Sequence, residues 1–452
     1  MLDLEGPAFT TPPGRADAYN VPSSSKDSEV TFKRATASYT NLDERFRAAK
    51  RTYERQYAQL YFSRLMLLKA VMRRRIEQLW PGVPVCSILE VQENREVAVI
   101  GTVYKNMKLK PSILDEYAKD RGLKAALGGA NFCSDDDSVV LEDEGARMVL
   151  AAPPGEAAAA ASAAAGAGGA GRHDGPLDVQ TLVTGMVLAV RGVHEPGGDF
   201  VVSAVCLPGL APHPHPLPSP RPAAAAAATA VGAAAAMADA APGDKYVALV
   251  SGLSLGGSKA DMLKTQLMLD QAAGAALAPV RDLDLLLSEL AAGLPVDVMP
   301  GPEDPANVAL PQQPMHRCLF PASAMHGSFI RATNPHEFES EGVRILGSSG
   351  QSLDDLAKYC SARDRLDLME RSLACRHLAP TAPDTLTCYP FHDKDPFILE
   401  SSPHVGGTGD AACVRLVAVP SFARTGTLVL LNLHTLACHP VRFDGSLGAG
   451  GQ

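Results

Sequence analysis

Two loops in this 452-residue sequence sit where a metal-assisted phosphoryl-transfer site would be built, and neither carries a full set of ligands. Tyr246-Val-Ala-Leu-Val250 is a continuous apolar run that ends in Ser251-Gly252-Leu253, and Pro295-Val-Asp-Val-Met299 runs into Pro300-Gly301-Pro302-Glu303-Asp304-Pro305. Each reads as a buried strand delivering a loop at its carboxyl end. Two ions about 4 Å apart that clamp a phosphate need several Asp, His and Asn side chains at such loops. Ser251, Gly252 and Leu253 offer neither carboxylate nor imidazole. The second loop supplies Glu303 and Asp304, and the best late candidate, Pro403-His404-Val405-Gly406, adds one imidazole. That set cannot hold two ions. No catalytic residue, metal ligand or cofactor is expected, Asp304 is expected to cap a turn, and His404 to be a packed or surface histidine.

Other chemistry-bearing residues are equally unpromising as reaction centres. The nine cysteines are scattered, odd in number and never form a C-x-x-C pair, which argues for reduced thiols and against a disulfide framework or zinc ribbon. His213-Pro-His215-Pro belongs to a Pro/Ala-rich stretch and reads as low complexity. The formal charge of −9 excludes a molecule that grips phosphate backbones over its whole surface. No signal core or apolar run of membrane-spanning length is present, so a soluble intracellular chain with no membrane partner is expected.

Around these residues the chain must supply elements to hold them. Residues 1–40 are polar and aperiodic, as in a disordered tail. From 41 to 80, Phe46, Tyr53, Tyr57, Leu60, Tyr61, Leu65, Leu68, Met72, Ile76 and Leu79 recur at helical spacing, and Trp80-Pro81-Gly82 stops the run. The opposite face is basic, with Arg64, Lys69, Arg73, Arg74 and Arg75 among its residues. It reads as a solvated face or a contact for an acidic partner or DNA.

Short β-type runs follow at Val83–Val91, Glu96–Tyr104, Val139–Leu141 with Arg147–Ala151, Leu182–Val193 and Asp199–Val205, the last two joined across Glu195-Pro196-Gly197-Gly198. With one helix expected over Pro111–Leu127, this is the pattern of an OB-fold barrel over 81–207, carrying an Ala/Gly insertion at 153–171. A low-complexity insertion fills 208–243. Residues 244–445 alternate strands (246–250, 295–299, 343–346, 414–419, 427–433) with helices (259–270, 281–292, 353–374), and 446–452 reads as a flexible tail. The expected fold class is α+β, mainly β: an N-terminal helix, an OB-fold barrel, and a β-sandwich with flanking helices. The strand-loop framework of that last part is that of a degenerate calcineurin-like phosphoesterase domain.

Several phrases are more specific. Val296-Asp-Val-Met-Pro-Gly301, Leu310-Pro-Gln-Gln-Pro-Met-His316, Gly347-Ser-Ser-Gly-Gln351, Pro380-Thr-Ala-Pro-Asp-Thr-Leu386, Cys388-Tyr-Pro-Phe391 and Asp395-Pro-Phe397 follow Leu182–Val190, Leu249–Gly257 and Thr265-Gln-Leu267 in order. In that order they resemble the regulatory B-subunit family of DNA polymerase delta from about residue 30 to 445. The resemblance implies an OB domain packed on an inactivated phosphoesterase domain. It also implies a nuclear, non-catalytic scaffold in DNA replication and repair synthesis, DNA-binding only indirectly through the holoenzyme.

Its implied partners are the C-terminal metal-binding module of the catalytic subunit and the third subunit of the complex. Candidate interface residues are Tyr389 and Phe391 in the aromatic turn, with a packed core turn as the competing reading, and Arg73, Arg74 and Arg75 on the helix. The chain departs from the family pattern between Ala278 and Leu283, where a further central strand is missing, and after His404. An unpaired strand edge is expected there. An active metal-dependent phosphodiesterase, or a single-strand DNA-binding OB module using Tyr104 and Phe200, are the alternatives.

Overall fold

The computed structural model describes residues 37–48, 56–111, 131–153, 175–213, 244–253, 273–403 and 414–443. The helices expected at 111–127 and 259–270, both low-complexity insertions and His404 fall largely or wholly outside them.

The N-terminal helix, α1 (Ala58–Leu79), buries Leu60, Arg64, Leu65, Leu68, Met72 and Ile76, a stripe at spacings of three and four. It ends where the Trp80 N–H donates to the Ile76 carbonyl (2.7 Å) and Gly82 takes a positive φ. The helix is shorter than its apolar spacing predicts. Tyr39–Asn41 is a strand, β1, and Asp43–Phe46 is a 3-10 turn. Both belong to the carboxyl-terminal half: β1 pairs antiparallel with His336–Ser340, and Phe46 is fully buried. The tail expected to reach residue 40 and the helix expected from 41 are thus corrected, because tertiary pairing overrides a spacing that Phe46 shares with α1 only by coincidence.

Next comes the barrel: β2 (Val85–Cys86), β3 (Glu96–Asn106), β4 (Ser138–Glu142), β5 (Arg147–Ala151), β6 (Val187–His194) and β7 (Phe200–Cys206). Their order is β2-β3-β4-β5-β7-β6, and the pairing of β3 with β6 closes the sheet, as an OB fold requires. Long β3 serves three neighbours, β2 at Ala98–Val99, β6 along Glu96–Thr102 and β4 along Thr102–Asn106. Alternation divides its side chains: Val97, Val99 and Val103 point into the barrel, while Ala98 and Ile100 pack on α1. The β6–β7 register shifts at Gly192, where a Cβ would come within 2.1 Å of the Val201 carbonyl.

The carboxyl-terminal half holds β8 (Tyr246–Leu249), α2 (Ala273–Gly293), β9 (Val296–Val298), β10 (Phe329–Arg331), β11 (His336–Ser340), β12 (Val343–Gly347), α3 (Gln351–Tyr359), α4 (Arg365–Ala374), β13 (Thr427–Asn432) and β14 (Cys438–Arg442). They form the sheets β1-β11-β12, β9-β10 and β14-β13-β8. Three expectations change here. The run 353–374 is two helices separated at Cys360–Asp364, 414–419 is not a strand, and β8 is a partly exposed edge strand. Among the described residues β8 pairs only with β13 and β9 only with β10.

The barrel does not keep its core to itself. Its interior residues Val139, Leu188 and Phe200 belong to one cluster with Leu356, Tyr359, Leu368 and Cys375 of α3, α4 and their flanks. On its other side α1 packs by Leu65, Leu68, Met72 and Ile76 against Ile100, Ala189 and Ile398, and by Leu60 against Phe391 and Phe397.

Candidate functional site

The loop expected to hold metal ligands is organised by its own backbone. Asp304 Oδ2 accepts from the Gly301 N–H (2.7 Å), capping the turn after β9 as its spacing predicts. Beyond the turn, the buried Gln312 donates to the Gly301 and Asn307 carbonyls (3.0 and 3.1 Å), and its Oε1 accepts from Asn334 (2.7 Å). These amides tie the loops following β9 and β10 together. No group of three or more His, Cys, Asp or Glu side chains able to hold a metal ion occurs among the described residues.

Two buried charge clusters stand out instead. In the first, His336 on β11 lies between two carboxylates, Nδ1 to Asp43 Oδ1 (2.8 Å) and Nε2 to Asp297 Oδ2 (3.1 Å), and Tyr39 donates its hydroxyl proton to the same Asp297 oxygen (2.7 Å). Burial alone would depress the imidazole pKa, but the bonds to Asp297 and Asp43 outweigh it and push the pKa up to about 9. Asp43, which burial would raise, is held below the usual carboxylate range by His336 and by the Glu337 N–H. With both nitrogens donating, His336 has no lone pair to offer a metal or a substrate proton. It clamps β1 and the 3-10 turn onto β9 and β11.

The second cluster joins the halves of the molecule. Arg64 is 0% exposed, donates from Nε to Asp395 (2.8 Å), and reaches the carbonyls of Gly185, Pro380 and Ala382 with its terminal nitrogens (3.1, 3.0 and 2.7 Å). His377 completes it, Nε2 to Asp395 Oδ2 (2.9 Å), while its Nδ1 accepts from the Ala379 N–H (3.1 Å). That bond fixes the tautomer with the proton on Nε2. Burial first, and Arg64 second, hold the imidazole pKa below its ordinary value. Burial would raise the Asp395 carboxyl, but His377 and Arg64 outweigh it and keep the group ionised far below the usual range. An Asp–His pair of this kind resembles half of a catalytic triad, but it is sealed from solvent and both imidazole nitrogens are engaged. It holds shape.

The sequence pattern places Arg64 on the solvent face of α1; the structure places it on the buried stripe. Its spacing of four from Leu60 and from Leu68 is the signal that could have found it. Of the candidate interface residues, Phe391 is 4% exposed inside the cluster of Leu60, Leu310 and Phe397, and is not available to a partner. Tyr389 is half-buried, edge-on to Phe391 with ring centroids 4.9 Å apart. The aromatic pair is therefore chiefly a packed turn. Arg75 is half-buried, its guanidinium resting on Gly209. Arg73 and Arg74 are exposed. Phe200 is buried, and the half-exposed Tyr104 ring carries the Arg147 guanidinium 5.9 Å from its centroid, so these two rings do not form the paired stacking platform expected of a single-strand DNA site.

Sequence relatives agree with this anatomy. Residues 56–205 match the family model for the DNA polymerase delta subunit OB-fold domain, and residues 254–414 match the model for the B subunit of DNA polymerases alpha and epsilon. An OB barrel followed by such a region defines the class of DNA polymerase B-subunits. The DNA polymerase delta small subunit of Arabidopsis thaliana is 36% identical, across 92% of this chain and 98% of its own length. DNA polymerase delta subunit 2 of Drosophila melanogaster is 31% identical across 91% and 98%, and the small subunit of Saccharomyces cerevisiae 27% across 87% and 91%. The chain belongs to the DNA polymerase delta small-subunit family.

Proposed function

We propose that this chain is the accessory small subunit of the DNA polymerase delta complex, working in the nucleus as a rigid scaffold and catalysing no reaction itself. Its carboxyl-terminal half is on this reading a calcineurin-like phosphoesterase fold whose ligand positions are taken by Ser251, Gly252 and Leu253 after β8 and by Pro302 and Glu303 after β9. Its partners are the C-terminal metal-binding module of the catalytic chain and the third subunit of the complex, and it meets DNA through the assembled enzyme. The observation that carries the reading is the buried Arg64–Asp395–His377 cluster: charge that could serve chemistry instead fixes the barrel, α1 and the carboxyl-terminal half in one geometry. A body that presents partners to one another needs that rigidity. No helix among the described residues is long and apolar enough to cross a membrane.

Co-expression of the full chain with the C-terminal module of the catalytic subunit tests the proposal. A stable complex at low and at moderate salt is expected; separation at both overturns it. In parallel, the purified chain with manganese and bis(p-nitrophenyl) phosphate is expected to show no turnover. Hydrolysis abolished by Asp304→Ala would establish a phosphodiesterase instead.

A further inference from the structure

The outer face of α1 changes character along its length. Phe62, Met66 and Leu67 are 51%, 47% and 48% exposed, with exposed Ala70 beside them, and one turn further on come the exposed Arg73 and Arg74. On a helix these positions share one side, opposite the buried stripe of Leu60, Leu68 and Met72. The spacing from Phe62 to Arg74 is about 18 Å at 1.5 Å per residue, roughly three turns. Among the described residues neither arginine forms an ion pair, whereas Lys69 on the same helix is neutralised by Glu144. Compensation of the helix dipole does not account for them, because that effect is confined to the last turn, which holds no basic residue here.

We propose that this face docks an amphipathic helix of the catalytic chain, with apolar side chains three and four apart laid over Phe62, Met66 and Leu67 and Asp or Glu residues meeting Arg73 and Arg74. This inference rests on the accessory-subunit reading above. Charge complementarity selects the occupant. A nucleic acid would use the arginines and leave three large apolar side chains in water, and a chain of net charge −9 repels phosphate outside such local patches. A partner helix with both features covers the whole face and desolvates the arginines beside an apolar patch, where charge pairs weigh most.

Binding of the purified catalytic chain to the full-length protein, measured by interferometry over a range of salt, tests the proposal. Two double variants are compared with wild type, Phe62→Ser with Met66→Ser, and Arg73→Glu with Arg74→Glu. All four side chains are exposed, so unchanged melting temperatures confirm intact folding. A loss of affinity of tenfold or more in each variant is expected, with a shallower salt dependence in the arginine pair. Wild-type binding with both variants unchanged overturns this inference alone. No binding by wild type overturns the accessory-subunit reading and the inference with it. Retained binding of the catalytic chain, with loss only of binding to a 20-mer duplex oligonucleotide in the arginine pair, overturns it in favour of a nucleic-acid surface.

Discussion

Arg64 concentrates at one residue what holds this protein together. Its guanidinium serves a carboxylate and three backbone carbonyls drawn from the barrel and from the carboxyl-terminal half. Arg64→Ala would leave Asp395 charged and buried without its cation, a loss of about 3–5 kcal/mol in chemical denaturation. Arg64→Lys is not expected to rescue it, since an ammonium cannot span the same planar fork of acceptors. The His336 clamp sets a different dependence. Its pKa is raised in the folded state to about 9, so the folded protein binds this proton more tightly than the unfolded chain. Its contribution is complete below about pH 6.5 and is lost as pH rises through 9, on the order of 3 kcal/mol by linkage. Denaturant midpoints measured from pH 6 to 10 should fall over that window, and His336→Gln should flatten the fall. His377 acts with the opposite sign: its depressed pKa makes stability decline as pH drops below about 6.5.

Elements meet through close backbone approaches as much as through side chains. Gly185, just before β6, has φ +92°, and a Cβ there would lie 2.1 Å from the Pro380 carbonyl and 2.9 Å from Arg64 Nη1. Gly185→Ala is expected to cost more than about 2 kcal/mol, by combined backbone strain and displacement of the Arg64 fork, as a shift in the urea midpoint without a change in slope. At the edges, β8 and β9 each have one partner among the described residues, and α2 exposes Leu285, Leu286 and Leu290, with Leu294 exposed just beyond its end. The Arabidopsis relative aligns over 474 residues, more than the 452 of this chain, so it carries segments without a counterpart here. We expect transcripts of this gene to include a form with an added strand-coding segment between Ala278 and Leu283; sequencing that finds only messages matching this chain would refute the expectation.

At the scale of the whole molecule the barrel and the carboxyl-terminal half share their apolar clusters, since α3 and α4 close the barrel interior and Ile398 joins the seam under α1. The barrel cannot separate from α3 and α4 without exposing the interior they share. A single cooperative transition is therefore expected in calorimetry, with amide exchange protection in β3 and α4 lost together. Two resolved transitions would show the halves to be independent. Such coupling suits a scaffold, because a partner bound to one half is then held in fixed relation to a partner bound to the other.

Local patterns were legible from the residues alone: the stripe of α1, the alternation of β3, β4 and β5, the Glu195–Gly198 hairpin turn, the turn-capping role of Asp304, and the ordered phrases that carry the family. Each depends on residues a few positions apart, and there the periods of 3.6 and 2 or a turn's own chemistry are decisive. Other facts emerged on folding: that Tyr39–Asn41 pairs with β11 and Asp43–Phe46 forms a 3-10 turn where tail and helix are expected, that Arg64 is buried, that Phe391 is core, and that the barrel shares its interior with α3 and α4. Those turn on partners far away along the chain, 331 positions in the case of Arg64 and Asp395. A charged or aromatic side chain has the same local signature whether its partner is water or a distant carboxylate, and the folded chain alone settles which of the two it meets.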